Sequence, residues 1–96
     1  MAAYIIFIRD GAVRDPAAME EYSKNARSAG GGHKLEPLVA YGKVEALEGA
    51  PADGVVVLKF PDMDQAKAWY NSPGYQAAVP HRMRGASYRV MVTEGV

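Results

Sequence analysis

Three short runs of this chain are apolar at every position: Tyr4–Ile8 (YIIFI), Val55–Leu58 (VVVL) and Val90–Val92 (VMV). Successive strand residues point to opposite faces, so a strand covered by helices on one side alternates apolar with polar residues. These runs do not alternate. As strands of one sheet they demand burial on both faces, and what else the chain offers decides how that demand is met.

It offers helices for one face. After Tyr4–Ile8 and the turn Arg9-Asp10-Gly11, Asp15-Pro16 opens a helix, with Asp15 as cap and Pro16 in the first helical position. Met19, Tyr22, Ala26 and Ala29 share one face of it, Glu20 and Lys24 pair on the wet side, and Gly30-Gly31-Gly32 stops it. Leu35–Gly49 reads as a long strand, bulged or bent at Gly42, and Gly49–Gly54 as a loop before the strand Val55–Phe60. Asp62-Met63-Asp64-Gln65 is a capping box that starts a second helix, with Met63, Ala66 and Tyr70 along one face and Trp69 beside them. Asn71 ends that piece, Ser72-Pro73 restarts it, Pro80 predicts a kink or a second break, and Ser87–Gly95 is the last strand. The order β-α-β-β-α-β predicts a single domain over 1–96 of class α+β: a ferredoxin-like sandwich, with a four-stranded antiparallel sheet and helices on one face. The uncovered face then calls for a second copy packed sheet to sheet, or else for a different partner.

Composition narrows the function classes. Lys plus Arg and Asp plus Glu are 11 each, so the net charge is zero and the phosphate-neutralising excess of a nucleic-acid binder is missing. The RNA-recognition fold shares this element order, but VVVLKF lacks its exposed aromatics. Without cysteine there is no disulfide, thiolate nucleophile or thiolate metal site. His33 and His81 lack the spacing of a metal pair, and no metal site is expected. No apolar run approaches the ~18 residues of a membrane span, and MAAYIIFIRDG reads as a first strand and not a leader; the expectation is a soluble, cytoplasmic protein that binds neither membrane nor nucleic acid. Gly30-Gly31-Gly32 follows a helix where a phosphate loop precedes one, and no dinucleotide, P-loop, zinc-protease or nucleophile-elbow motif occurs, so no cofactor is expected.

The segment Phe60–Val96 resembles a known family, the domain of unknown function 1330. It carries a Phe-Pro after a strand, an Ala-x-x-Trp-Tyr helix, a Ser-Pro-x-Tyr restart, a Pro-x-Arg ending and a last strand ending in Glu-Gly. VEALEG at Val44–Gly49 fits as well, while Ser23–Leu38 departs from the commonest form. The resemblance implies a dimeric α/β barrel, a superfamily of cofactor-independent monooxygenases, haem-degrading enzymes, isomerases and plain ligand binders. The fold does not choose among these.

Candidate site residues gather around the helix break. Arg82 matches the Pro-x-Arg arginine and could hold a carboxylate or enolate through two parallel hydrogen bonds; the competing reading is an ion pair with Glu94 or Asp10. Tyr75, in the first turn after the restart, could bring a hydroxyl to a cleft. His33, on its glycine hinge, is the third catalytic candidate, as a lid base or a haem ligand. His81 is adjacent to Arg82 but points about 100° away on a helix, which favours a surface position. Trp69, Tyr22 and Tyr41 are candidates to line an apolar pocket, although the aromatics at 69, 70 and 75 also suit a core. Two functions follow. One is a small enzyme without a tightly bound cofactor, acting on an apolar or aromatic substrate with a carbonyl or carboxylate. The other is a non-catalytic dimeric module that binds a small ligand or supports another protein.

Overall fold

The computed structural model describes residues 1–96. In chain order the elements are β1 (Ala3–Asp10), α1 (Pro16–Ala29), β2 (Glu36–Ala40), β3 (Gly54–Phe60), α2 (Met63–Tyr70), α3 (Pro73–Gly85) and β4 (Ser87–Glu94). All strand pairs are antiparallel and the sheet order is β2-β3-β1-β4. The three helices lie on one face, the ferredoxin-like arrangement that the element order predicts.

Register sorts the apolar runs into two faces. Ile5 stands between Leu58 and Val92, and Phe7 between Val56 and Val90. This set faces the helices, where Ala3, Ile5, Phe7 and Phe60 are fully buried against Trp69 and Tyr75. Ile6 stands between Val57 and Met91 on the other face, which no helix covers. There Tyr4, Ile6, Ile8, Val55 and Val57 stay half-buried and Met91 is exposed.

The helices start where the caps predict. Asp15 Oδ1 accepts from Ala18 N–H, Asp62 Oδ1 from Gln65 N–H and Ser72 Oγ from Tyr75 N–H. The capping box is only half made, since the Gln65 side chain donates to the Asp62 carboxylate and not back to its backbone. Helices α1 and α3 pack in close contact. A Cβ on Gly85 would come within 2.5 Å of the Met19 side chain, and one on Gly74 within 3.3 Å of Ala29. The pairings 85 with 19 and 74 with 29 run antiparallel, and the missing side chains let the two backbones close up.

Four local expectations fail, each for a physical reason. The strand expected over Leu35–Gly49 ends at Ala40, because Tyr41 takes a left-handed φ of 59° and turns the chain out of the sheet. The irregularity lies between Pro37 and Val39, not at Gly42; Pro37 has no N–H to give the ladder. Pro80 does not break α3, which runs through to Gly85. The carbonyl it leaves without an amide partner belongs to Gln76, and both residues are exposed to water. Lys24 pairs with Glu21 at 3.9 Å in place of Glu20, an exposed contact of little energetic weight.

Candidate functional site

The close α1–α3 contact brings Tyr22 to Tyr75. Tyr75 and Arg82 are seven residues apart on α3, two turns, and therefore share a face. The Tyr22 and Tyr75 hydroxyls bond at 2.8 Å, both residues are buried, and Arg82 is 5% exposed. A second pair forms below it. The row Gly54–Arg9–Tyr88 crosses the helix-side face of β3, β1 and β4. Tyr41 lays its ring on Gly54, where a Cβ would fall 2.9 Å from the ring, passes 6.0 Å from the Arg9 guanidinium, and bonds the Tyr88 hydroxyl at 2.7 Å. The Tyr88 ring in turn lies 5.6 Å from the Arg82 guanidinium. Two tyrosine pairs thus converge on one buried cation.

Arg82 has no carboxylate. The ion pair considered with Asp10 is excluded because Asp10 pairs with Arg89 at 3.0 Å, and Glu94 makes no ion pair either. A buried guanidinium without a countercharge is unusual, since taking the charge out of water costs several kcal/mol unless something compensates. Here its surroundings are the Tyr75 hydroxyl and the face of the Tyr88 ring. Arg82 Nε and Trp69 Nε1 are both buried without a hydrogen-bond partner. Each such donor costs about 1–3 kcal/mol.

Beside this cluster is a cleft of about 530 Å³ between α1 and the β2–β3 edge of the sheet. Tyr22, Tyr41 and Trp69 line it, and Phe7, Val56 and Leu58 give it an apolar floor. Arg27 is the one charged residue on its walls. Arg82 and Tyr75 do not line the cleft; they stand behind Tyr22, Trp69 and Tyr41. The tyrosines hold their protons tightly. Burial pushes the Tyr22 hydroxyl well above its ordinary range, with the Tyr75 contact adding to the effect. Partial burial and the bond to Tyr88 do the same to Tyr41. Burial also raises Tyr75, opposed by the hydrogen bond with Tyr22 and by the Arg82 charge. At neutral pH these groups donate hydrogen bonds and are poor bases.

Five of the six site candidates, Arg82, Tyr75, Tyr22, Tyr41 and Trp69, therefore sit in one assembly. His33 does not join it. It lies between α1 and β2, tied by its backbone N–H to the Gly30 carbonyl, and is not on the cleft wall. His81 is separate as well, with Nδ1 2.6 Å from Arg84 Nη2. No cluster of His, Asp and Glu could hold a metal ion. Sequence reasoning passed over Tyr88 and Arg9. The signal for Tyr88 was its parity with Val90 and Val92, which puts it on the helix-side face. Arg9 looked like part of a turn, and only the register places it under Tyr41.

The fold has relatives among solved structures. A protein of unknown function from Rhodopseudomonas palustris superposes with a TM-score of 0.76 at 14% identity, covering 99% of this chain and 82% of the other. A protein from Bacteroides fragilis, described as dimeric, of unknown function and of ferredoxin-like fold, superposes at 0.61 and 14% identity, covering 98% and 96%. The cofactor-independent oxygenase SnoaB from Streptomyces nogalater superposes at 0.56 and 14% identity, covering 98% and 90%. At these identities the likeness is one of fold. No curated protein matches the chain. The family match is of another kind, running from residue 2 to residue 96. It covers the elements that make the tyrosine–arginine assembly and the cleft beside it, and the chain belongs to the family described as a domain of unknown function, DUF1330.

Proposed function

We propose that the cleft binds a small, mainly apolar or aromatic molecule through a carbonyl or carboxylate oxygen, and that the protein is a cofactor-independent enzyme acting on it. The observation that carries this reading is the buried, carboxylate-free Arg82 behind two tyrosine pairs, next to an apolar cleft with no acidic residue on its walls. Trp69, on the cleft wall, has in Nε1 a donor without an acceptor, and a ligand oxygen would supply what it lacks, while Arg82 lies one layer behind. Arg82 and Arg27 favour a negative charge there. In this role Tyr22, on the cleft wall, donates its hydroxyl to an oxyanion as it develops and accepts from Tyr75, with Arg82 behind the pair. Because the tyrosines keep their protons, the favoured substrate ionises readily by itself, as a phenol or enol does. The same property also supports a second reading, a ligand-binding module without catalysis, since a site with no ready base can bind without reacting.

The protein works, in this proposal, as a homodimer packed through its open sheet face. The fold is a slab 31 × 31 × 17 Å, and its broad face offers the roughly 800 Å² per partner of a standard stable interface. The Bacteroides fragilis relative is described as dimeric.

Trp69 is the only tryptophan and lines the cleft, so its fluorescence reports on occupancy. Salicylate should quench it saturably, with salicylamide binding roughly tenfold more weakly, about 1.4 kcal/mol. Arg82→Lys, which keeps the charge but loses the planar group packed against Tyr88 behind the cleft wall, should weaken salicylate by a similar factor. Equal affinity for acid and amide, or for wild type and Arg82→Lys, removes the anion site.

A further inference from the structure

Tyr41 and Asp53 are the two feet of a long loop. The Tyr41 N–H donates to the Val55 carbonyl, the Asp53 N–H to the Arg9 carbonyl, and the Gly11 N–H to Asp53 Oδ2. Between the feet, no hydrogen bond ties Gly42–Ala52 down, and its side chains are covered only in part, Val44 most among the large ones at 38% exposed. Its single ion pair, Lys43–Glu45, is internal. All of it is exposed except the half-buried Ala52. A connection this long without secondary structure is uncommon in a compact domain and is usually functional.

Its composition is not that of a solvated loop. Val44, Ala46 and Leu47 alternate with or adjoin Lys43, Glu45 and Glu48, giving an apolar centre with a charged rim, the pattern of an interface. Leu47 is the midpoint of the segment and is 93% exposed. Five residues out and five back, at about 3.3 Å each, give a reach of roughly 17 Å. The slab is 17 Å thick. The loop springs from the end of the β2–β3 pair, at the border of the uncovered sheet face. A copy packed on that face therefore lies within its reach, and the loop is long enough to pass over that copy's edge.

We propose that Gly42–Ala52 is a dimerisation arm that extends onto a second copy of this chain and seats Leu47 against it. This rests on the sheet-face dimer proposed above and adds a separate contact to it. The arm lacks intramolecular hydrogen bonds because its partners lie on the second copy.

The test uses equilibrium sedimentation of wild type and Leu47→Asp, and photocrosslinking from Leu47→Cys carrying a benzophenone maleimide. The chain has no cysteine, so the label has one site. Leu47→Asp should raise the dimer dissociation constant at least about tenfold and leave the circular dichroism spectrum unchanged, since Leu47 touches little in its own protomer. The labelled variant should yield a covalent dimer with the crosslink mapped to the partner. Wild-type affinity in Leu47→Asp, or crosslinks confined to one chain, overturns the arm and leaves the sheet-face dimer standing. A monomeric wild type overturns both.

Discussion

Ile5 and Ile6 are consecutive residues of β1 with the same side chain and opposite surroundings. Ile5 is 2% exposed among Leu58, Val92 and the helices. Ile6 is half-buried among Val57 and Met91 on a face that nothing in the protomer covers. The two faces also differ in what they tolerate. The helix side carries tyrosine hydroxyls and a guanidinium, and most of these groups answer one another: Tyr22 with Tyr75, Tyr41 with Tyr88, and Arg82 against the Tyr88 ring. The open side keeps its polar groups to the margin, as in the Arg89–Asp10 pair. Placed polar groups are what ligand sites in general use, and an apolar centre is what flat interfaces in general use, so the two faces match the two different roles proposed for them.

The sharpest way to break this comparison is to put the same charge on each side. Ile5→Asp buries an unpaired carboxylate in the core, and the expected result is a chain without a cooperative melting transition, consistent with a cost of about 3–5 kcal/mol or more. Ile6→Asp should fold, melt cooperatively and sediment as a monomer. If both variants unfold alike, the open face is part of the protomer's own core and the contrast fails.

A smaller effect should appear in alkali and belongs to the helix side alone. In the folded protein Tyr22, Tyr41 and Tyr75 titrate above their ordinary value of about 10. The unfolded chain loses these protons first. Stability is therefore full below about pH 10 and falls as the pH rises above it, because the folded state then binds more protons than the unfolded state. Urea midpoints measured against pH would show the decline, and Tyr22→Phe combined with Tyr75→Phe should lessen it, leaving the share of Tyr41. An unchanged slope in the double variant would mean that the pair does not hold its protons as described.

The smallest effect concerns the seat of the Tyr41 ring on β3. Gly54→Ala places a Cβ 2.9 Å from the Tyr41 ring, so the ring must shift and strain its bond to Tyr88. A loss of about 1 kcal/mol is expected, the size of one net hydrogen bond. Gly42→Ala, with nothing within 4 Å of its new Cβ, is the control and should be neutral within about 0.5 kcal/mol. Equal melting temperatures for the two variants would show that the Tyr41 ring is not seated on Gly54.

Much of the site was legible because helix geometry is local. The i, i+7 spacing of Tyr75 and Arg82, and the placing of Tyr22 on the buried stripe of α1, follow from a repeat of 3.6 residues per turn. The Tyr41–Tyr88 pair was not legible, because it joins two residues 47 apart through a strand register and one left-handed residue. His33 looked as eligible as Tyr75 in the sequence. No local rule says which residues of a loop after three glycines will face inward, and here Gly30 and Leu35 reach the cleft wall while His33 between them does not.

The sequence alone determined the order of strands and helices, the caps that start each helix, and the excess of apolar residues that one layer of helices cannot cover. Each of these depends on neighbours within a few positions, where backbone geometry and side-chain pattern act directly. Tertiary structure decided three other things: that Arg82 has no carboxylate, that β2 stops at Ala40 and leaves a free loop, and that the cleft lies beside the tyrosine pairs. These depend on which residues meet across the sheet and between helices. Such meetings are set by register and by close contacts such as Gly85 with Met19, and no short stretch of sequence contains both partners.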